Sequence, residues 1–392
     1  MPELSIVLVH ANAPPVPGGT NVVLARLFGA MRETRLAVYT DLAWRRRVRR
    51  GGALLLDGRY GYFLRLGAVA QRLVRLRGLA DVLDVGIALI AGLRVAAGVR
   101  RLGPPDLFVA PLDAGFSTIA TALAARLTRR PYLIMVFDLW EENAYSPIAR
   151  RIARRVERRI LCGAASVVAF SDRVSDHYER KHGLPCELID TPIAATDSPT
   201  GTPASNERPL EILVGGAIYW AQEDAVRRLL RVARGFPDVT VTIVGDESDL
   251  RARGFHADAY EARLDGSEFQ ARLQRAGAVF VGLSLESPYP EVVNTATPAR
   301  LPEAMASGRP LLVHAPAESH AAIYARGHDF AEVVDRPDDH ALESGIRALL
   351  ERPDRAERRT RTALRLVRER HDIAVVAPAY EAILRRAAES GA

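Results

Sequence analysis

Cysteine is almost missing from this chain, which has only Cys162 and Cys186 in 392 residues. Two cysteines cannot build the disulfide framework of small secreted domains, so the sequence predicts a reducing compartment and a cytoplasmic location. Long apolar runs are lacking too. The best run, residues 85–93, is bounded by Asp84 and Arg94, so no membrane-spanning helix is predicted. The first apolar stretch, residues 4–9, follows an acid and is too short for a signal peptide.

A strong charge of either sign is lacking as well. Lys and Arg total 53 against 47 Asp and Glu, which gives a net charge of +6. Spread over this length, that charge does not indicate nucleic-acid binding, whereas anionic small molecules or an anionic membrane surface would suit it. Arginine supplies nearly all of the positive charge, and the high Arg and Ala content is typical of a GC-rich bacterial genome. Apolar residues make up 48%, which predicts a globular protein long enough for two domains with separate cores.

The order of the chain predicts an α/β protein with two parallel sheets. Strand-like runs at 4–10, 36–40, 53–56, 106–110 and 132–137 alternate with helical patterns. Residues 191–209 contain four Pro and few large apolar side chains, which is typical of a linker. A second alternation begins with a strand at 210–214. We therefore expect an N-terminal domain at 1–192, a linker at 193–209, a second domain at 210–370 and a final helical segment at 371–392.

The stretch N-T-A-T-P-A-R-L-P-E-A-M-A-S-G-R-P-L-L-V, residues 294–313, is the most informative in the chain. Pro298 and Pro302 are two alternative helix starts, because Pro in the first turn loses no backbone hydrogen bond. Gly308 fits the left-handed position that ends a helix, and residues 311–313 are an apolar strand. The pattern predicts a polar loop, a short helix, a tight turn and a buried strand.

The chemistry of this stretch suits a nucleotide diphosphate. Free N–H groups at a helix start bind phosphate, and the guanidinium of Arg300 would strengthen that binding. The carboxylate of Glu303, one turn into the helix, could accept hydrogen bonds from ribose hydroxyls. The alternative is an ordinary helix with an acid in its favoured first turn and a solvated arginine.

The same stretch resembles the donor-site motif of family 4 retaining glycosyltransferases, P-x-[K/R]-x-x-E-[AY]-x-A-x-G-x-P followed by a strand. The matching residues are Pro298, Arg300, Glu303, Ala306, Gly308 and Pro310. The resemblance implies the GT-B fold, with two Rossmann-like domains facing each other across a cleft. The first domain would bind the acceptor and the second the nucleotide sugar, and the last helix would pack back on the first domain.

The resemblance also implies roles for individual residues. Arg300 would hold the diphosphate, Glu303 the ribose, the backbone of Leu264 the base, and Asn294 and Thr295 the sugar. Further donor-side candidates are Gly18, Gly19, Gly216 and Thr297. The family arrangement needs no metal and no cofactor, since the nucleotide sugar is itself the substrate.

Three departures from the family pattern bear on catalysis. The first position of the family's E-x7-E pair falls on Thr295, which we nevertheless keep with Glu303 as a catalytic candidate. Residues 215–224 contain no basic side chain where the family usually has a phosphate-binding pair. Asp113 stands where the family often has a histidine, and it is a candidate on the acceptor side.

Four further candidates follow the apolar strand at 132–137, in the sequence D-L-W-E-E-N. Residues just beyond strand carboxyl ends line the ligand crevice of an open parallel sheet. Asp138 is therefore a candidate general base, and Trp140, Glu141 and Glu142 are candidates for acceptor contact or general-base work. The alternative is a solvated acidic loop with a packed Trp.

A basic segment at 44–77 suggests contact with a membrane. It contains five arginines between residues 45 and 50, and Arg65, Arg72 and Arg75 would share one face of an amphipathic helix. Such a segment could hold the protein peripherally at the inner face of the plasma membrane. The alternative is a surface helix whose Arg stems cover apolar surface.

Together these patterns predict a metal-independent retaining glycosyltransferase that moves a sugar from a nucleotide-sugar donor to a polysaccharide, lipid-linked or natural-product acceptor. Two alternatives remain open at this point. One is a catalytically silent binding protein of the same fold, and the other is an enzyme of different reaction, such as an epimerase or a pseudo-glycosyltransferase.

Overall fold

The chain forms two compact units in the computed structural model, which describes residues 3–52, 54–65, 77–113, 115–144, 146–194, 209–216, 218–264 and 266–390. The first unit consists of Met1–Asp190 and Val376–Ala392, and the second of Thr191–Val375. Most of the predicted linker lies outside the described residues. The same holds for Arg72 and Arg75 of the predicted basic helix.

A parallel sheet forms the centre of the first unit. In the described part of the chain its strands are β1 (Leu4–Val9), β2 (Thr34–Asp41), β3 (Arg59–Phe63), β4 (Leu107–Pro111), β5 (Tyr132–Val136), β6 (Ser166–Ala169) and β7 (Glu187–Leu188). Their spatial order is β3-β2-β1-β4-β5-β6-β7. The central strands are almost wholly apolar and buried, because helices cover both faces of the sheet.

Six helices that lie wholly within the described part of the first unit connect or flank these strands. They are α1 (Gly19–Ala30), α2 (Arg45–Arg50), α3 (Arg77–Leu102), α4 (Phe116–Thr128), α5 (Pro147–Leu161) and α6 (Asp172–His182). The prediction of a strand at 53–56 was wrong, since residues 54–56 are turn and coil. The edge strand is β3 instead, whose aromatic alternation was overlooked beside the more apolar run before it.

Helix α3 bears on the prediction that no helix spans a membrane. By length and composition, Asp81–Arg101 could cross one, and 33% of its most apolar stretch is buried. The core helix of a globular protein passes the same test, so the finding does not overturn the prediction. The sequence pattern did not indicate a helix of this length, because Asp84 and Arg94 interrupt its apolar residues. The prediction that Arg65 lies on a helix was wrong, because Arg65 is in the coil that follows β3. Its guanidinium lies 5.2 Å from the centre of the Phe116 ring.

The second unit is also built on a parallel sheet. Its strands in the described residues are β8 (Leu210–Gly215), β9 (Val239–Val244), β10 (Ala259–Glu261), β11 (Ala278–Gly282), β12 (Leu311–His314) and β13 (Glu332–Val334). Their order is β10-β9-β8-β11-β12-β13. Because the first strand, β8, is flanked by β9 and β11, the strand order reverses there, and ligands of such sheets bind at the carboxyl edge of that point.

The helices of the second unit surround this sheet. They are α7 (Glu223–Ala233), α8 (Glu247–Ala252), α9 (Gly266–Leu273), α10 (Pro290–Thr295), α11 (Arg300–Met305), α12 (His320–His328), α13 (Asp339–Glu351) and α14 (Pro353–Leu366). The predicted course of residues 294–313 is confirmed. Helix α11 begins at Arg300, between the two prolines, Gly308 has a φ of 69°, and β12 begins at Leu311.

The last helix, α15 (Ile373–Glu389), contributes to the core of the first unit. Tyr380 is fully buried there; its hydroxyl donates to the Met135 sulfur at 3.0 Å, and its ring meets Phe28 edge-on. Cys162 and Cys186 are both free cysteines.

Candidate functional site

Arg300 lies at the carboxyl edge of the second sheet, against the loop that follows β8. A Cβ atom on Gly216 would be only 2.5 Å from Arg300 Nε, and the φ of Gly216 is 113°. The guanidinium carbon also lies 4.7 Å from the centre of the Phe269 ring. Backbone and ring together fix the plane of the guanidinium. The structure thus brings together two predicted donor-site residues, Arg300 and Gly216, at the reversal of strand order.

A second arginine, Arg253, directly follows helix α8 and contacts the same loop. Arg253 donates to the backbone carbonyl of Ile218 at 2.6 Å and to the Glu223 carboxylate at 2.7 Å. It also pairs with Asp249 at 3.0 Å. Because two carboxylates balance its charge, Arg253 supports the loop and contributes little net charge for phosphate. Sequence reasoning missed this contact, which joins residues far apart in the chain.

Glu303 lies one turn beyond Arg300 on α11 and is half-buried. Residues three apart on a helix project from the same face, so the carboxylate and the guanidinium share one side of α11. The side-chain amide of Gln270 donates to the Glu303 carbonyl at 3.3 Å. This bond ties α11 to α9 and holds the two functional side chains on a fixed support.

Asn294 and Thr295 end helix α10, but their side chains have different environments. The Thr295 side chain is buried, and its hydroxyl donates to the Glu291 carbonyl at 2.8 Å within the helix. This geometry speaks against the catalytic role expected for Thr295. The side-chain oxygen of Asn294 is buried without a hydrogen-bond partner. A buried polar atom of this kind is costly, and a ligand hydroxyl could satisfy it.

The remaining donor-side candidates of the second unit lie in loops. Thr297 is half-buried in the segment before α11, and Leu264, which follows β10, packs on the apolar core of the unit. Sequence reasoning assigned no role to the aromatic pair of Trp220 and Tyr289, whose ring centres are 5.3 Å apart. Trp220 follows β8 and Tyr289 precedes α10, so the pair adds ring surface near the same edge.

In the first unit, Asp113 joins the ends of two neighbouring strands. One carboxylate oxygen lies 3.3 Å from Nδ1 of His10, which directly follows β1, and also accepts from the Ser117 hydroxyl. The other accepts from the Ser117 backbone N–H at 2.9 Å. A neutral His10 ring that donates from Nδ1 to this carboxylate has its lone pair on Nε2. Sequence reasoning overlooked His10, although its place just beyond a buried strand was the available signal.

Asp138 and Trp140, which follow β5, differ in their exposure to solvent. The Asp138 side chain is exposed, yet desolvation by the neighbouring protein raises the pKa of its carboxyl group. Because its side chain is exposed, Asp138 is open to a substrate. Trp140 is buried, and a Cβ on Gly115 would overlap its ring at 1.9 Å. The Trp140 ring is therefore packed within the unit.

Glu141 belongs to a network of ion pairs. It pairs with Arg154 at 2.8 Å and with Lys181 at 3.1 Å. Lys181 also contacts Glu142 at 2.8 Å and the fully buried Glu157 at 2.6 Å. Desolvation acts to raise the pKa of Glu142, but hydrogen bonds and charges from His177 and Lys181 outweigh it and hold that pKa at about 2. Because this network pairs Glu141 and Glu142 with positively charged side chains, both acids have a structural role after β5 that requires no ligand.

Gly18 and Gly19 begin helix α1, after a loop that Asn21 supports by donating to the Val16 carbonyl at 2.7 Å. A Cβ on Gly18 would meet nothing within 4 Å. A side chain at position 18 would therefore not clash with the rest of the unit. Among the described residues, no three His, Cys, Asp or Glu side chains form a cluster that could hold a metal ion.

Two sequence families match the chain. Residues 9–191 match a family described as a glycosyl transferase 4-like domain, and residues 222–382 match one described as glycosyl transferase-like. Between them these families account for most of both units. A search of curated proteins gave no match.

Solved structures share the fold over nearly the whole chain. HepE from Anabaena, in complex with UDP and glucose, has a TM-score of 0.68 at 16% identity, covering 97% of this chain and 99% of that one. A glycosyltransferase from Rickettsia africae has a TM-score of 0.67 at 12% identity, covering 98% of each chain. Sucrose-phosphate synthase from Thermosynechococcus elongatus has a TM-score of 0.66 at 13% identity, also covering 98% of each.

These likenesses confirm the predicted GT-B fold class, with two parallel-sheet α/β units. The matched families confirm the predicted enzyme class, a glycosyltransferase. The chain is a glycosyltransferase of the GT-B type, with a glycosyl transferase 4-like domain followed by a glycosyl transferase-like domain.

Proposed function

We propose that the protein transfers a sugar from a nucleotide-sugar donor to a polysaccharide, lipid-linked or natural-product acceptor, with retention of anomeric configuration and without a metal. The observation that carries this proposal is the fixed guanidinium of Arg300 against Gly216, with Glu303 on the same side of α11. A cation held rigidly at the strand-order reversal suits the two negative charges of a diphosphate.

We infer the donor contacts from the family resemblance and from the positions of these residues in the second unit. Arg300 stabilises the charge that develops on the departing diphosphate, which is the part of the reaction a metal would otherwise serve. Glu303 accepts hydrogen bonds from the ribose. The unpaired oxygen of Asn294 accepts one from a sugar hydroxyl, and the backbone of Leu264 faces the base.

UDP-sugars are the first donors to test. HepE, which shares this fold, has been solved with UDP and with UDP-glucose. In the transfer step the bond between the anomeric carbon and the diphosphate oxygen breaks, and the acceptor hydroxyl oxygen takes its place. The hydroxyl proton passes to a carboxylate, for which we propose Asp138, because its side chain is exposed and follows a central strand of the first sheet at the carboxyl end.

Inversion at the anomeric carbon is a second candidate outcome, favoured by one observation. His10 is oriented by Asp113 at 3.3 Å, an arrangement that leaves Nε2 as a base. A base that activates the acceptor on the face opposite the leaving diphosphate gives direct displacement, and therefore an inverted product.

Thermal shift with UDP, GDP, ADP and dTDP tests the donor site. We expect one nucleotide to raise the melting temperature, and Arg300→Ala and Glu303→Ala to abolish that rise. Arg361→Ala removes an exposed arginine that pairs with Glu357 on α14, and it should keep the rise. Absence of any shift would contradict the proposal.

The anomeric configuration of the product, read by proton NMR with the matched sugar donor, separates retention from inversion. Addition of EDTA should leave the rate unchanged if no metal takes part. Product analysis also separates transfer from epimerisation of the donor.

A further inference from the structure

Helix α3 presents five large apolar side chains to solvent, while most of the fully buried residues on its inward face are small. Leu89, Ile90 and Leu93 are 43%, 57% and 53% exposed, and Val82 and Leu83 are exposed as well. Val82 and Leu89, like Leu83 and Ile90, are seven residues apart, which is about two helical turns, so these side chains lie in a stripe on one side of the helix. In most globular proteins the large apolar side chains of a surface helix face the core.

The inward face of α3 shows why the large side chains are excluded from the core. Ala88, Ala91 and Val95 are buried there. At Gly92 an added Cβ would lie 2.8 Å from the Ala120 carbonyl of α4. The two helices are thus packed at a distance that only small residues allow, and the stripe is left with no cover in the described residues.

The stripe continues onto the end of the first sheet. Leu42 and Leu64 are exposed and directly follow Asp41 and Phe63, which are paired across β2 and β3. Paired strands are about 4.8 Å apart, so the two leucines are neighbours. Helix α3 also contacts β3, the strand that Leu64 follows.

Positive charge borders this apolar surface. Helix α2 follows Leu42 and exposes five arginines, and Arg45 lies 6.0 Å from the ring centre of Tyr62 on β3. No acidic side chain of the described residues pairs with Arg46, Arg47, Arg49 or Arg50. At its far end α3 exposes Arg94 and Arg101.

We propose that this surface, which we call the α3 face, lies on an anionic lipid bilayer. It consists of Leu42, Leu64, the arginines of α2 and the outward stripe of α3. Apolar side chains would enter the headgroup boundary while the arginines bind lipid phosphates. Helix α3 does not span the bilayer, because its inward face is packed against α4.

A second copy of the chain fits the α3 face less well. Pairing two copies would add a second set of arginines, while the acids at the start of α3 are already engaged. Asp81 accepts a hydrogen bond from Ser146, and the positive charge of Arg65 acts against the rise that burial causes in the pKa of Asp84. The unbalanced charge of the face is positive, which favours a negative surface.

Sedimentation of the full chain with vesicles tests the proposal. We expect binding to vesicles of phosphatidylcholine with phosphatidylglycerol, and weak binding to phosphatidylcholine alone. Leu89→Gln with Ile90→Gln should lower binding about 10-fold or more. Arg46→Gln, Arg47→Gln and Arg49→Gln together should lower it by at least about 10-fold, and added salt should act in the same direction.

Matched controls keep the result specific to this face. Leu188→Gln with Ile323→Gln changes two exposed apolar residues elsewhere and should bind vesicles like the unchanged protein. All variants should keep their melting temperature and any nucleotide-induced shift, so failure here is separable from failure of the donor site. Vesicle binding that is absent, or that the α3-face variants do not change, overturns the proposal. So does a dimer in sedimentation velocity that Leu89→Gln with Ile90→Gln dissociates.

Discussion

The guanidinium of Arg300 rests on the backbone of Gly216, so closely that an added Cβ would lie 2.5 Å from Nε. The contact joins the loop after the first strand of the second unit to the helix that carries the donor motif. It is a tertiary relation between two residues that the sequence places far apart. Its consequence is that the conformation of one glycine sets the position of the main donor-site cation.

Gly216→Ala should weaken nucleotide binding about 10-fold, because the new methyl group displaces a charged hydrogen-bond donor. The positive φ adds strain of about 1–2 kcal/mol. Isothermal titration with UDP and a urea melt measure the two effects separately. Gly327→Ala, which meets no atom within 4 Å on α12, should be neutral or stabilising by up to about 1 kcal/mol. Unchanged nucleotide affinity in Gly216→Ala would contradict the role given to this contact.

The fold was largely predictable because its signals are local. Apolar strands buried on both faces, such as residues 4–9 and 239–244, are recognisable without tertiary information. The start of α11 was limited to two prolines by the chemistry of the first helical turn. The edge strand β3 was missed because an edge strand is less apolar than a central one, and a nearby apolar run competed with it.

The candidate site was less predictable because its decisive contacts are tertiary. Nothing near Trp140 in the sequence indicates that Gly115 leaves room for its ring, or that Lys181 engages Glu141. The side-chain environment of Thr295 depends on how helix α10 packs. Motif spacing identified which residues belong to one loop or helix, and the fold determined which of them face a ligand.

Acid should destabilise the first unit through Glu142. Its pKa is held at about 2, below the ordinary value of 4.5, so its stabilisation is present above about pH 4.5 and is lost as the pH falls towards 2. A shift of this size corresponds to on the order of 3 kcal/mol, shared among the groups around Lys181. Urea melts between pH 7 and pH 3 should show Glu142→Gln less stable at pH 7 and less sensitive to acid. Glu357→Gln, at an exposed helical pair, should follow the unchanged protein.

Trp140→Phe should reduce stability and leave acceptor use unchanged. The indole is buried against Gly115, so the smaller ring leaves a cavity that costs about 1–2 kcal/mol. Asp138→Asn, in the same loop but exposed, should lower kcat without a stability loss of that size. Urea melts and release of nucleoside diphosphate measure the two effects. A raised KM for the acceptor in Trp140→Phe, at unchanged stability, would show that the ring binds acceptor.

His10 decides between the two anomeric outcomes. If its Nε2 takes the acceptor proton, His10→Gln should lower kcat by about 100-fold or more, with donor KM and melting temperature nearly unchanged. Asp113→Asn should then also lower kcat, since the carboxylate no longer fixes the proton on Nδ1. The product of the unchanged enzyme would be inverted. Nearly full activity of His10→Gln together with a retained product would exclude the inverting candidate and leave Asp138 as the proposed base, because retaining transfer makes no demand on His10.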